Sequence, residues 1–259
     1  MKVSGTNPSR NVGLARALSK LGHCSRSEGV ELIHAGRVRL NGAVRRDPEA
    51  PVRLESGQIE VDGRPIGKAA RIYLALNKPR GVVTTASDEK GRRTVYEFLD
   101  STLPWIASVG RLDKASEGLL LLTNDSEWAG HILAPASHLD KTYHVQIDRV
   151  ADAKLVQSIE RGVKTAEGDF LRVNSVRILR GGERNTWLEI GLDEGRNRHI
   201  RRILESLGVG VLRLVRVAIG PLLLGQLAKG KVRSLTREEK GALDRAMHIE
   251  SKKARSKSL

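Results

Sequence analysis

Four leucines in a row, Leu119 to Leu122, constrain this chain more than any other feature. Turn residues bound the run on both sides: Gly118 precedes it, and Thr123-Asn124-Asp125 follows. A short, wholly apolar run between turn signals reads as a strand buried on both faces. Directly upstream lies Val109-Gly110-Arg111-Leu112-Asp113. The turn therefore delivers a carboxylate to the edge of a buried strand, where a charge is costly unless it is paired or used. Alone, an Arg-Leu-Asp turn is more often a surface ion pair than a site. The rest of the chain tips the balance towards a site.

The chain has 259 residues, enough for one large core or for a large and a small domain. Hydrophobic residues make up 39% and charged residues 29%, the balance of a globular protein rather than a disordered one. The net charge of +15 favours a polyanionic partner, nucleic acid before anionic membrane. That charge is uneven. Residues 1–71 hold 13 Lys and Arg against 7 Asp and Glu, residues 72–225 hold 22 against 19, and residues 226–259 hold 10 against 4. A near-neutral body with basic ends suits an enzyme with RNA-gripping appendages. Aromatic residues are only 3%, so binding should rest on phosphate contacts rather than on a surface of stacking rings. No run approaches the ~18 apolar residues of a membrane span, and the N-terminus lacks the apolar stretch of a signal peptide. Cys24 is the single cysteine, which excludes an intrachain disulfide and points to the reducing cytoplasm.

Residues 1–11 read as disordered. Leu14, Ala17, Leu18 and Leu21 recur at helical spacing until Gly22. Ser25 with Glu28 three residues on predicts the start of a second helix. A strand ending in Asn41-Gly42, strands near 52–54 and 58–61, and an Asp62-Gly63 turn complete a compact α/β module over 12–63. Arg16, Lys20, Arg26, Arg37 and Arg39 are its candidate RNA contacts. Residues 64–71 read as a linker, 72–239 as the larger domain, and 240–259 as a basic tail that frays. Strands are predicted at 72–76, 82–85, 109, 119–123, 142–147, 170–179, 186–192 and 211–219. Helices are predicted at 95–99, 127–133, 151–161 and 196–207. Many strands and few helices, not in strict alternation, give an α+β class.

No metal site emerges, because His131, His138 and His144 lack ligand spacing and cysteine partners. There is no phosphate-cradling Gly-rich loop, so neither ATP nor NAD is expected as a cofactor, and no nucleophile elbow for Ser-His-Asp chemistry. What remains is one carboxylate, a tyrosine and a basic helix. In that helix Ile200, Ile203, Leu204 and Leu207 form a buried stripe. Arg198, Arg201 and Arg202 lie off the stripe, with Arg201 at its border, able to reach a carboxylate bidentately. Arginines near a helix start oppose the macrodipole, which calls for an anion nearby.

The chain resembles bacterial ribosomal RNA pseudouridine synthases of the RsuA/RluB/RluE/RluF family from about residue 13 to 239. Five stretches carry the resemblance in order. They are Asn77-Lys78-Pro79 to Thr85, Gly110-Arg111-Leu112-Asp113 to Leu119, Lys141 to Val145, Glu194 to Arg202, and Ile219-Gly220-Pro221 to Thr236. The N-terminal module resembles the alpha-L RNA-binding domain shared with a small-subunit ribosomal protein. The resemblance implies a mostly antiparallel sheet with a central catalytic cleft, and isomerisation of uridine to pseudouridine. Asp113 would be the catalytic carboxylate, acting on ribose, on uracil or as a base; these alternatives stay open. Tyr143 would stack on the flipped uracil, and Arg201 would pair with Asp113.

The resemblance also places Lys78, Arg111, Lys141, Arg196, Asn197, Arg198, His199 and Arg202 along the RNA, with Arg111 replacing the extruded base or holding a phosphate. His199 stands where the family usually has Gln, and Gly13, Ser27 and His138 also depart from its pattern. The expected partner is ribosomal RNA, large subunit ahead of small, naked or in a preribosomal particle, met by a monomer. A non-catalytic RNA-binding assembly factor is the alternative from another class.

Overall fold

The computed structural model describes residues 11–247 except 68, 87, 194 and 195. The disorder expected over 1–11 and the end of the basic tail therefore lie, apart from Asn11, outside the described residues. The chain divides into two compact units: residues 1–72 with 100–107 and 123–126, and the remainder.

In the first unit, β1 (Val12–Gly13) leads into α1 (Leu14–Lys20), and Gly22 at φ 77° ends that turn of chain. The Ser25 hydroxyl accepts the Glu28 N–H and opens α2 (Arg26–His34). A four-stranded sheet follows from β2 (Val38–Leu40), β3 (Ala43–Val44), β5 (Ile59–Val61) and β6 (Arg64–Pro65), while β4 (Pro51–Val52) pairs with β1. Asn41 and Gly42 at φ 53° and 80° make the first hairpin turn; Asp62 and Gly63 at φ 52° and 73° make the second. Leu14, Leu18, Ile33, Val38, Val52 and Ile59 close a small core. The expected linker starts later than residue 64, because Arg64 and Pro65 pair with β5.

The second unit is built on a nine-stranded sheet. Its strands are β7 (Tyr73–Lys78), β8 (Ala107–Val109), β9 (Glu117–Thr123), β10 (Lys141–Ile147), β13 (Ser175–Gly181), β14 (Thr186–Leu192), β15 (Val211–Ile219), β16 (Leu222–Leu223) and β17 (Val232–Ser234). A separate hairpin joins β11 (Val163–Lys164) and β12 (Phe170–Leu171). The sheet order is β13-β14-β10-β15-β9-β7-β17, with β8 beside β9 and β16 beside β15. Pairing is antiparallel at β13–β14, β14–β10, β10–β15, β15–β16 and β7–β17, and parallel at β9–β15. Every residue of β9 is buried, and Leu119 to Leu122 have no exposed surface. The sheet is flanked by α3 (Ser126–Leu133), α4 (Ala153–Arg161), α5 (His199–Ser206) and α6 (Arg237–Ala246).

Several local expectations give way. Residues 82–85 form no strand, only a single bridge from Val83 to Thr94, because Gly81 turns at φ 92° and Thr84 is turned to side-chain bonding. Residues 95–99 contain a 3₁₀ turn, Val95–Phe98, closed by a Thr94–Glu97 capping box. The long strand expected over 170–179 breaks between β12 and β13. The helix expected from 196 starts at His199, because Arg198 is left-handed at φ 51° and cannot join a right-handed helix.

The fraying expected from 240 does not begin there. Thr236 and Glu239 form a capping box for α6, Asp244 accepts the Trp128 indole N–H at 2.9 Å, and Lys240 lies over the Tyr73 ring. Leu243 of α6 is fully buried among Trp128, Ile132 and Ile219. Truncating it leaves a cavity that the capped helix cannot collapse. Leu243→Ala is expected to lower stability by about 2–5 kcal/mol, read as a shift in the denaturant midpoint; an unchanged midpoint would show that α6 is not part of this core.

Candidate active site

Asp113 sits on the loop between β8 and β9, and the hydrogen bonds of that loop explain why it holds its shape. Five consecutive carbonyls, Leu112 to Ser116, each have a donor. Thr84 Oγ1 donates to Leu112 O at 2.8 Å. The Gly81 N–H donates to Lys114 O at 2.7 Å. Arg201 Nη2 donates to Ala115 O at 3.1 Å. Lys78 Nζ donates to Asp113 O at 3.0 Å and to Ser116 O at 2.8 Å, and also to Pro79 O at 3.2 Å. The Asn-Lys-Pro stretch at the end of β7 is thus the mould for the Asp113 loop. Its neighbour Asn77 points the other way, as alternate strand residues do, and its Nδ2 donates to Leu227 O at 2.7 Å.

Lys78 was expected to touch RNA. It does not: its side chain has no exposed surface, and its three donors are used by carbonyls. A cation spent inside the fold and one spent on a phosphate look alike in a sequence. Burial pushes the Lys78 ammonium down to about 8, against the pull of the Asp113 and Glu117 carboxylates.

Asp113 lines a cavity of about 520 Å³, a size typical of small-molecule sites. Tyr143, on β10, lines it too and is buried. Apolar walls come from Ile132, Leu133, Leu192, Ile200 and Leu214. Arg111, Lys141, Arg196, Asn197, Arg198 and His199, all expected RNA contacts, border the same cavity. Lys141 is half-buried with its ammonium on Asp193 O at 3.2 Å; burial first, then Arg216, holds its pKa below the usual lysine range. His199 is buried, with its Nε2 2.9 Å from Arg172 O, which fixes it to the wall rather than freeing it for RNA.

Two arginines of α5 divide the work. Arg202 bonds Thr165, Glu167 and Asp169 on the β11–β12 hairpin through its Nη2, so it braces the fold there. Those carboxylates are the anions that a cation in the first turn of a helix requires. Arg201 does not form the expected bidentate pair: no Asp113–Arg201 ion pair within 4.0 Å exists among the described residues, because Arg201 spends its Nη2 on Ala115 O. Asp113 still acts on it through space, opposing the burial and the Arg198 charge that depress its pKa. In the first unit Arg16, Arg26, Arg37 and Arg39 are exposed and Lys20 half-exposed, but Arg37 is held by Asp62 through two hydrogen bonds.

Arg216 is a cavity residue that no motif in the sequence marks. It lies on β15 opposite Tyr143, is buried, and lines the cavity. One signal could have exposed it: a charged residue in the apolar run Val211–Ile219 is costly unless it is used. Its backbone also explains Gly118. A Cβ there would stand 2.2 Å from Arg216 O, at φ 101°, so only glycine lets β9 pair with β15.

Comparison with known proteins bears on this site. The RNA pseudouridylate synthase family matches residues 72–206, which hold Asp113, Tyr143 and Arg201. The chain belongs to that family. The S4 domain matches residues 12–56. An RNA pseudouridine synthase of Aquifex aeolicus, itself uncharacterized, is 38% identical over 239 residues, spanning 92% of this chain and 96% of its own length. The ribosomal large subunit pseudouridine synthase B of Bacillus subtilis is 35% identical over 227 residues, 87% of this chain and 93% of that one. A crystal structure of a pseudouridylate synthase superposes with TM-score 0.63 at 27% identity, covering 90% of this chain and 99% of the other.

The Lys78 ammonium sets a pH dependence whose sign is fixed. Its folded pKa of about 8 lies below the ordinary 10.5, so the native state releases this proton first. Between those values the group adds to stability as pH rises, while the Asp113 loop loses its cationic donor. Pseudouridine formation is therefore expected to decline above pH 8. In Lys78→Met the rate is expected to be low at every pH and that decline absent; a wild-type profile flat to pH 9.5 would contradict the assignment.

Proposed function

We propose that the protein converts uridine to pseudouridine in ribosomal RNA, and that its target lies in the large subunit. The observation that carries the reading is the meeting of Asp113 and Tyr143 in one cavity of nucleoside size, with the Asp113 loop bonded at every carbonyl from 112 to 116. The likeness to the Bacillus subtilis large-subunit enzyme supports the choice of subunit.

Asp113 is the catalytic carboxylate and Tyr143 the surface on which the flipped uracil stacks. Extruding that uridine costs a few kcal/mol, least from a loop. Arg201 orients Asp113 through the Ala115 carbonyl and through its charge. Arg111, Arg196, Asn197, Arg198 and Lys141 contact the RNA strand at the cavity. The S4-type module grips ribosomal RNA, free or in a preribosomal particle, through Arg16, Lys20, Arg26 and Arg39. Its site of action is the cytoplasm, where such particles form.

Pseudouridine mapping across ribosomal RNA of a strain lacking the protein tests this. One large-subunit site is expected to lose its modification, and wild type but not Asp113→Asn to restore it, with a rate loss of at least about 10³-fold in vitro. A lost site in small-subunit RNA would move the target, and no lost site with tight RNA binding would leave an assembly role.

A further inference from the structure

Arg216 is 6% exposed and lines the cavity beside Tyr143. Side chains directly opposite in an antiparallel pair share a face, and the register of β10 and β15 sets Arg216 opposite Tyr143. Its Nε donates to Leu119 O at 2.7 Å, which fixes the guanidinium. Its Nη2 is enclosed and has no acceptor among the described residues, so this guanidinium carries more charge than its partner, Leu119 O, takes up. Buried donors rarely stay unmatched without a use.

The surrounding charge sharpens the point. Lys78 and Lys141 both lie in the field of Arg216, and both have their ammonium groups on backbone carbonyls. Arg201 is turned to Ala115 O through Nη2, while its Nε, like Arg216 Nη2, is enclosed without a partner among the described residues. The cavity lining holds Arg111, Lys141, Arg196, Arg198 and Arg216 against Asp113 and Asp193. Such a site favours an acceptor that becomes negative during a reaction.

Uridine isomerisation makes one. When the N1–C1′ bond breaks, its electron pair stays on the ring and is shared among N1, O2 and O4. C5 then bonds to C1′, the C5 proton leaves, and N1 takes one up. Atoms and electrons are unchanged overall, with no co-reactant. Resting on the proposed function above, we infer that Arg216 is a further catalytic residue: its guanidinium donates an N–H at the cavity wall to a carbonyl oxygen of the uracil ring and stabilises the charge that ring carries while it is detached from the ribose. A ring stacked on Tyr143 lies next to Arg216 because the strands pair in that register. A donor fixed in place and shielded from water stabilises such charge more than a solvated one does.

The test uses the full chain and the ribosomal RNA fragment whose uridine wild type modifies. If wild type modifies none, the proposed function fails before Arg216 is in question. With that activity in hand, Arg216→Met is expected to lower kcat by roughly 10²–10³-fold with little change in KM, and Arg216→Lys to recover part of the loss. The target uridine is then replaced by its 2-thio and 4-thio forms, whose sulfur accepts hydrogen bonds weakly. One of the two is expected to slow wild type and to slow Arg216→Met far less, the signature of a shared interaction. Equal slowing of both proteins by both thio forms, or a folded Arg216→Met with kcat within tenfold of wild type, would overturn the assignment. Should Arg216→Met fail to fold by thermal melting, the same comparison is made with Arg216→Ala, which likewise has no donor, and equal slowing again overturns it.

Discussion

The ammonium of Lys78 lies buried beneath the loop that presents Asp113, and the order of the site depends on that burial. Removing a cation from water is costly, and only carbonyl dipoles or carboxylates at close range offset it. Lys78 has both: three carbonyls within 3.2 Å, and the charges of Asp113 and Glu117. The offset works in both directions. The carbonyls of residues 113 and 116 hold the lysine in place, and the lysine holds the loop between them. Gly81, Thr84 and Arg201 complete the set, so the carboxylate is carried by a segment whose backbone has little freedom left.

β15 gathers the other parts. It runs parallel to β9 on one side and antiparallel to β10 on the other. The Asp113 loop enters β9 and Tyr143 stands on β10, so both reach the cavity through contact with a single strand. Arg216 is where the two pairings meet, opposite Tyr143 and beside Gly118. A second buried charge steadies this seam: Glu117 accepts from Arg213 at 3.1 Å and from Lys229 at 2.5 Å. Burial would raise the Glu117 pKa, but the two cations together outweigh it and hold the carboxyl below its usual range.

Much of this was legible in the chain and some was not, for identifiable reasons. The leucine run could only be a buried strand, because nothing in it can face water. The turns at Asn41-Gly42 and Asp62-Gly63 announced themselves through residues that tolerate positive φ. The roles of the cations were not legible. Lys78, Arg202 and Arg16 carry similar charges, yet the first is under the Asp113 loop, the second on an acidic hairpin, and the third in solvent. Partners distant in sequence decide which is which. α5 began late because one residue, Arg198, takes a left-handed conformation that helix periodicity does not register. α6 was misjudged because its charged sequence looks solvated until Tyr73 and Trp128 are placed beside it.

The sequence by itself determined the α+β class, the two-part organisation with basic ends, and the candidate trio of Asp113, Tyr143 and Arg201. The class and the organisation follow from local periodicity, turn chemistry and charge along the chain, and the trio from the family resemblance of its motifs. Only the tertiary structure decided that Lys78 is buried beneath the Asp113 loop, that Arg201 bonds the Ala115 carbonyl instead of pairing with Asp113, and that Arg216 lines the cavity. Each of these depends on contacts spanning roughly 35 to 100 residues of chain, where strand pairing sets distance and burial sets the cost of charge. Neither quantity is written in the neighbourhood of the residue itself.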